Sequence, residues 1–337
     1  MSMHHQSRTR RSPLAAAGLL LLMVLTGMAI PGQGRINAAL SAEADDPYLA
    51  ALISFASGLL IIIGITAATG RGRAALREVK PALSRGTVKW WYLLAGCVGA
   101  YFVLTQTLTI GLIGVAVFTV AVVTGQTIGG LIWDRVGLGP AGRRRVSPLR
   151  VLGASLTVLA VLWAVSPQLR VSDHELLWLL LLVSLPFSAG LLNAGQQAVN
   201  GRQSAAYGSA LPATLFNFLS GALLLLLVWL AKLAVSGAGS GQLPAEWWYY
   251  TGGLLGCVFI GVGAVLVTQV GVLLAAMGMI AGQLVGSLGL DLVAPAPGSV
   301  VTTATVLGTL LTLVAVVVAS LPDFLRDGGG KRRLRKG

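Results

Sequence analysis

Stretches of about twenty apolar residues alternate with short polar segments along almost the whole chain. At 1.5 Å of helical rise per residue, about twenty residues match a hydrocarbon core about 30 Å thick, so each stretch predicts a bilayer-crossing helix. In the first half these are 13–34, 48–69, 90–110, 111–133 and 147–165. In the second they are 176–198, 211–231, 247–267, 268–290 and 300–321. The expected fold class is all-α, a polytopic membrane protein of ten transmembrane helices. The first stretch, preceded by Arg8, Arg10 and Arg11, also fits a cleaved signal peptide. Against that, no Ala-x-Ala site stands between the apolar run and Pro31, and the segment has a counterpart in the second half.

That counterpart belongs to an internal repeat. Gly32, Gln33, Asn37, Ser41, Phe55, Ser57 and Gly58 match Gly195, Gln196, Asn200, Ser204, Phe218, Ser220 and Gly221 at one constant offset. A second gap-free block matches Trp90, Trp91, Tyr92, Gly96, Gly99, Phe102, Gly114, Gly125, Gln126, Gly129 and Asp134. Its partners are Trp247, Trp248, Tyr249, Gly253, Gly256, Phe259, Gly271, Gly282, Gln283, Gly286 and Asp291. Each half carries an odd number of spans, so the second must enter the membrane from the opposite side. The domain reading is a basic tail 1–12, a five-helix repeat 13–166, an inverted five-helix repeat 167–322 and a basic tail 323–337. Inverted repeats are the common build of secondary transporters.

Composition narrows the partners. The 337 residues are 55% hydrophobic and 10% charged, which excludes soluble two-domain architectures. The net charge of +13 would suit nucleic acid, but Lys and Arg are confined to short segments between apolar runs. Placed on alternate sides, they put Arg71 to Lys89, Arg135 to Arg150, Arg202 and the Lys331 to Lys336 tail on one side. Only Arg35, Arg170 and Lys232 fall on the other, together with Glu43, Asp45, Asp46, Asp173 and Glu175. The positive-inside rule then predicts cytoplasmic termini. Cys97 and Cys257 lie in apolar stretches with no metal-ligand neighbour, and His4, His5 and His174 lie in a tail and a loop. No cofactor, metal or nucleic acid is expected. Expected partners are the lipid bilayer and one small-molecule substrate, with a homodimer left open.

The doubled pattern of Gly-Gln with Asn37 or Asn200, Trp-Trp-Tyr with spaced glycines, and Gly-Gln followed by Asp resembles the YdcZ branch of the drug/metabolite transporter (DMT) superfamily. The resemblance covers nearly the whole chain. It implies a DMT/EamA-like fold in the inner membrane, a central cavity between the halves, and alternating access. Unlike the distantly similar small multidrug-resistance proteins, the chain has no carboxylate within its first helix, which argues against proton-coupled cation export.

Polar groups deep in an apolar span are costly unless partnered, and so are candidate site residues. Gln33 and Asn37 with Gln283 and Asp291 form an expected outer cluster; Gln196 and Asn200 with Gln126 and Asp134 form an inner one. They are read as gates or cavity lining. The competing role is interhelical glue, at about 0.6–2 kcal/mol per hydrogen bond. Asp134 and Asp291 are the candidates for proton coupling, although Asp134, beside Arg135, also suits a helix-end ion pair. Trp90, Trp91, Tyr92, Trp247, Trp248 and Tyr249 would form either an interfacial belt or a cation-binding cage. Pro31 and Pro186 are candidate kinks. The function expected is secondary transport of a small neutral or weakly charged metabolite or drug-like molecule. A passive channel, facilitator or lipid scramblase is the alternative. A membrane enzyme is more remote, for want of a nucleophile with a base inside a span.

The charge asymmetry predicts that a cytoplasm-active reporter fused after Gly337 is active and a periplasm-active one silent; the reverse result would invert the topology.

Overall fold

A computed structural model describes residues 13–139, 142–143, 147–166, 173–237, 239–270, 272–295 and 301–333. Arg8, Arg10, Arg11, Arg144, Arg145, Arg170, Gly271 and Lys336 lie outside the described residues. Among the described residues every regular element is a helix. In order these are α1 (Pro13–Ala44), α2 (Pro47–Ala68), the short α3 (Gly70–Arg77) and α4 (Val79–Ser84), α5 (Gly96–Val136) and α6 (Pro148–Val165). They continue as α7 (Asp173–Tyr207), α8 (Leu211–Ser236), α9 (Gly252–Val270), α10 (Val272–Val293) and α11 (Thr303–Arg333). Short 3-10 turns at Trp90–Leu94 and Trp247–Tyr250 lead into α5 and α9. Seven segments are long and apolar enough to cross a membrane, and the helices at Pro148–Ala164 and Gly252–Gly263 are apolar but shorter.

The seven include Trp90–Val136, 47 residues long and expected as two spans. Its helix reverses direction at Gly114, whose φ of 81° and ψ of 164° lie outside the helical region and are open to glycine alone at little cost. The rings of Phe102 and Phe118 are 6.0 Å apart across this reversal. Sixteen residues of straight helix would separate them by about 24 Å. Arg202 likewise reaches both ends of the hairpin, donating to Tyr92 Oη at 3.4 Å and to the Gly137 carbonyl at 2.7 Å. Pro31 and Pro186, by contrast, lie within α1 and α7, which run on past them. In a helical bundle, neighbouring helices can re-satisfy the backbone groups that a proline frees.

Two polar ends define the bundle. At one, Asp46 caps α2 by accepting from the amides of Tyr48 and Leu49, and also takes Lys232 Nζ at 2.9 Å and Trp229 Nε1 at 3.3 Å. The Asp46–Lys232 pair ties the start of α2 to the end of α8; Tyr249 Oη donates to Glu43 at 3.4 Å, and Arg35 reaches the carbonyls of Ala294 and Pro295. At the other end, Arg202 and Gln203 of α7 hold the entry to α5, and α4 lays Val79 and Ala82 against Val199 and Tyr207. The basic loop expected at Arg71 to Lys89 is therefore partly helical. Its two short helices bury small apolar residues, and α3 exposes Arg71, Arg73 and Arg77 while α4 exposes Lys80.

Between these ends helices meet at glycines. A Cβ at Gly125 would overlap the carbonyl oxygen of Phe187 in α7, and one at Gly282 would overlap that of Val24 in α1. Gly129 meets Leu191 as Gly286 meets Met28; Gly96 meets Asn217 as Gly253 meets Ser54; Phe55 covers Gly221 as Phe218 covers Gly58. On the outer flank Gly153 meets Ala315 and Ala319 of α11, and Gly308 meets Ala160 and Ala164 of α6. Small residues at crossings let backbones approach where lipid gives helices no hydrophobic drive to associate.

These contacts predict that Gly125→Ala and Gly282→Ala lower the melting temperature of the detergent-solubilised protein, by overpacking worth about 1–3 kcal/mol. Gly130→Ala and Gly289→Ala, where a Cβ meets nothing within 4 Å, should leave it unchanged or raise it. Equal losses at all four positions would contradict glycine-dependent crossing.

Candidate functional site

One cavity of about 90 Å³ opens between α1, α2, α5, α7, α8, α9 and α10. Its walls alternate phenyl rings with carboxamides. Phe55 and Phe218, with ring centroids 5.3 Å apart, line it together with Phe102 and Phe259. Gln33, Gln126, Gln196 and Gln283, all expected from the repeat, border this same space, so the four glutamines form one group instead of two separate clusters. Asn200 joins them. The crossings explain why. Gly125 and Gly282 bring α5 onto α7 and α10 onto α1 at mid-bundle, and the adjoining Gln126 and Gln283 are thereby drawn to the same depth.

Three more lining amides, Asn193, Gln197 and Asn217, escaped the sequence reading. They have no amide counterpart, since Ile30, Gly34 and Ser54 stand at the matching positions, and a search for polar residues that recur passes over them. Their polarity within apolar helices is the signal that would have found them.

The amides on the α7 side form a directed chain. Gln126 Nε2 donates to Asn193 Oδ1 at 3.3 Å, Asn193 Nδ2 to Gln196 Oε1 at 3.2 Å, Gln196 Nε2 to Asn217 Oδ1 at 3.3 Å, and Asn217 Nδ2 to Asn200 Oδ1 at 2.8 Å. Each link uses one donor and one acceptor of groups that carry two of each. Gln33 and Gln283 are buried, at 5% and 3% exposure, and among the described residues neither has a hydrogen-bond partner. The head of Gln33 has room because a glycine faces it: a Cβ at Gly256 would stand 3.2 Å from Gln33 Nε2, as one at Gly99 would stand 3.0 Å from Gln196 Nε2. Among the described residues no ionisable side chain lines the cavity.

The remaining candidates lie elsewhere. Asn37 is fully buried beyond the cavity and donates to Gln106 Oε1 at 3.1 Å. Asp134 pairs with Arg150 Nη1 at 2.7 Å, at the end where α5 meets α6; the neighbouring Arg135 is not its partner. Asp291, 4% exposed, accepts from the backbone amides of Val115 at 3.0 Å and Ala116 at 2.7 Å, just past the reversal at Gly114. Trp90 and Trp247 are more than 70% exposed and Trp91 and Trp248 are 40% exposed. Tyr92 is buried against Trp91 and α7, and Tyr249 stacks on Trp248. None of the six borders the cavity, so the structure assembles no aromatic cage there.

A partly apolar chamber with unspent amides and, among the described residues, no charged lining group can bind a small solute. Comparison with known proteins agrees with this at the level of class. No curated protein matches the chain. The family model DMT_YdcZ, described as "Putative inner membrane exporter, YdcZ", matches residues 18–163 and 181–318, two regions on either side of the 167–172 segment that together take in every cavity-lining residue. This polytopic helical protein, with its amide-lined chamber, therefore belongs to the YdcZ family of DMT membrane transporters.

Proposed function

We propose that the chain is a secondary transporter of ten crossings, in two inverted five-helix halves at 13–166 and 167–322, with both termini in the cytoplasm. It moves a small neutral or weakly charged molecule by alternating access. The observation that carries this reading is the single chamber walled by both halves, surrounded by helix crossings that recur in pairs. Each pair joins a helix of one half to a helix of the other, or exchanges the two, at the offsets of the sequence repeat. Two sets of equivalent contacts are what a protein needs to reach a second state of similar energy by trading the conformations of its halves.

The two ends of the chamber differ. Toward the Asp46 end it is sealed by Asn37 on Gln106, by Ser41 Oγ on the Thr107 carbonyl at 3.2 Å, and by Asp291 on the amides of α5. Toward the Arg202 end Gln197 is exposed and Asn193 and Asn200 are half-buried. We read this as the state open to the cytoplasm, with Asp291 as the latch of the closed outer gate and Asp134, held by Arg150, as its counterpart. A proton on Asp291 would weaken its two amide bonds and couple opening to the proton gradient. A facilitator without coupling is the second reading, favoured by a chamber wall that, among the described residues, carries no ionisable group.

Uptake from a metabolite extract into proteoliposomes, read by mass spectrometry with and without a proton gradient, separates these readings. Gln126→Ala and Gln283→Ala should impair flux severalfold more than expression, with defects of different sidedness. Normal specific activity in the surviving protein would reduce the amides to helix glue. Asp291→Asn, which can accept at only one oxygen, should speed labelling of Asn37→Cys by an impermeant thiol reagent from outside, in a background with Cys97 and Cys257 replaced by serine. Unchanged labelling would remove Asp291 as the latch.

A further inference from the structure

The chamber is unequal. On the α7 side Gln126 and Gln196 both have partners, because Asn193 serves Gln126 and Gln196, and Asn217 serves Gln196. The positions that would do the same for Gln283 and Gln33 are Ile30 and Ser54. Isoleucine cannot hydrogen-bond, and Ser54 is too short to reach; its own Oγ is buried without a partner. Two glutamines, both more than nine-tenths buried, thus project complete carboxamides into the chamber with no partner among the described residues. A ligand that meets them makes hydrogen bonds that no side chain among the described residues supplies.

We infer that Gln33 and Gln283 are the substrate-recognising pair, and that they select a neutral molecule with a primary or cyclic amide on a flat apolar body. An amide of this kind presents an N–H and a carbonyl side by side, so it closes two antiparallel hydrogen bonds with one glutamine head. A carboxylate would offer acceptors only, and an amidinium donors only, and with no ionisable side chain on the wall either would be desolvated without a counter-charge. A purely apolar solute would leave both glutamines unmet. The apolar body has its place between Phe55, Phe218, Phe102 and Phe259, with Ile30 completing that wall.

The inference rests on the chamber being the transport site, and binding tests it without flux. Full-length protein in lipid nanodiscs is titrated with benzamide, benzoate and benzamidine, which share one shape and differ in charge and in donors, and with the bulkier N,N-dimethylbenzamide, which keeps the carbonyl and has no donor. Benzamide should bind at least tenfold more tightly than the other three. Gln33→Met and Gln283→Met, of similar volume, should abolish that preference while the melting temperature is retained. Gln283→Glu should turn the preference toward the benzamidine cation, a reversal that a merely structural glutamine would not produce. No preference for benzamide in the wild type, or a preference that survives both methionine variants, overturns the inference. Benzamide binding without uptake in proteoliposomes would sustain the recognition pair and remove the transport reading. Uptake of a charged solute insensitive to both methionine variants would do the opposite.

Discussion

Where α5 folds back at Gly114, the amides of Val115 and Ala116 have no helical carbonyl to bond, and both residues are buried. In an apolar interior an unmet backbone group costs several kcal/mol, so a reversal there needs an acceptor brought from elsewhere. Asp291 is that acceptor. Its carboxylate lies at the positive end of a helix and takes two charge-assisted hydrogen bonds, which is also what makes a buried charge tolerable at this place. The pairing locks the end of α10 to the middle of α5. Val120 and Val123 then pack on Leu284 and Val316, and Gln126 and Gln283 are set facing one space.

The glycine crossings work on the same parts from another direction. With backbones in contact at Gly125 and Gly282, side chains on either side of each crossing have nowhere to go but into the gap between crossings. The gap is filled by aromatic rings and amides and stays partly open. Helices α6 and α11, which cross each other through Gly153 and Gly308, contribute nothing to its wall and brace it from outside.

Polarity without charge is the chemical character of the chamber. Amides can exchange partners among themselves and with a solute, each donating and accepting, so a network of them can be remade at small net cost when helices shift. An ion pair in the same place would be harder to remake, because each separated charge would need a new counter-ion in a low dielectric. Among the described residues, the ion pairs Asp46 with Lys232 and Asp134 with Arg150 lie at the two ends. They lie where α2 meets α8 and where α5 meets α6, away from the chamber wall.

The sequence by itself determined the helices, because runs of apolar residues matched to the bilayer leave the backbone little else to form, and it determined which residues come in matched pairs. It also carried the family, through the doubled Gly-Gln and Trp-Trp-Tyr patterns. Four of the five chamber-lining residues it singled out, Gln33, Gln126, Gln196 and Gln283, are recurring glutamines; Asn37, equally recurrent, lies outside the chamber on Gln106. Tertiary structure alone decided that the glutamines form one group, since depth in a bundle depends on where helices cross and not on distance from a span's end. It alone decided that Asp291 faces amides while Asp134 faces Arg150, because a carboxylate's partner is set by which helix end lies opposite. And it alone decided that Gln33 and Gln283 stand free, since Ile30 and Ser54 become missing partners only once packing has put them where an asparagine would have reached.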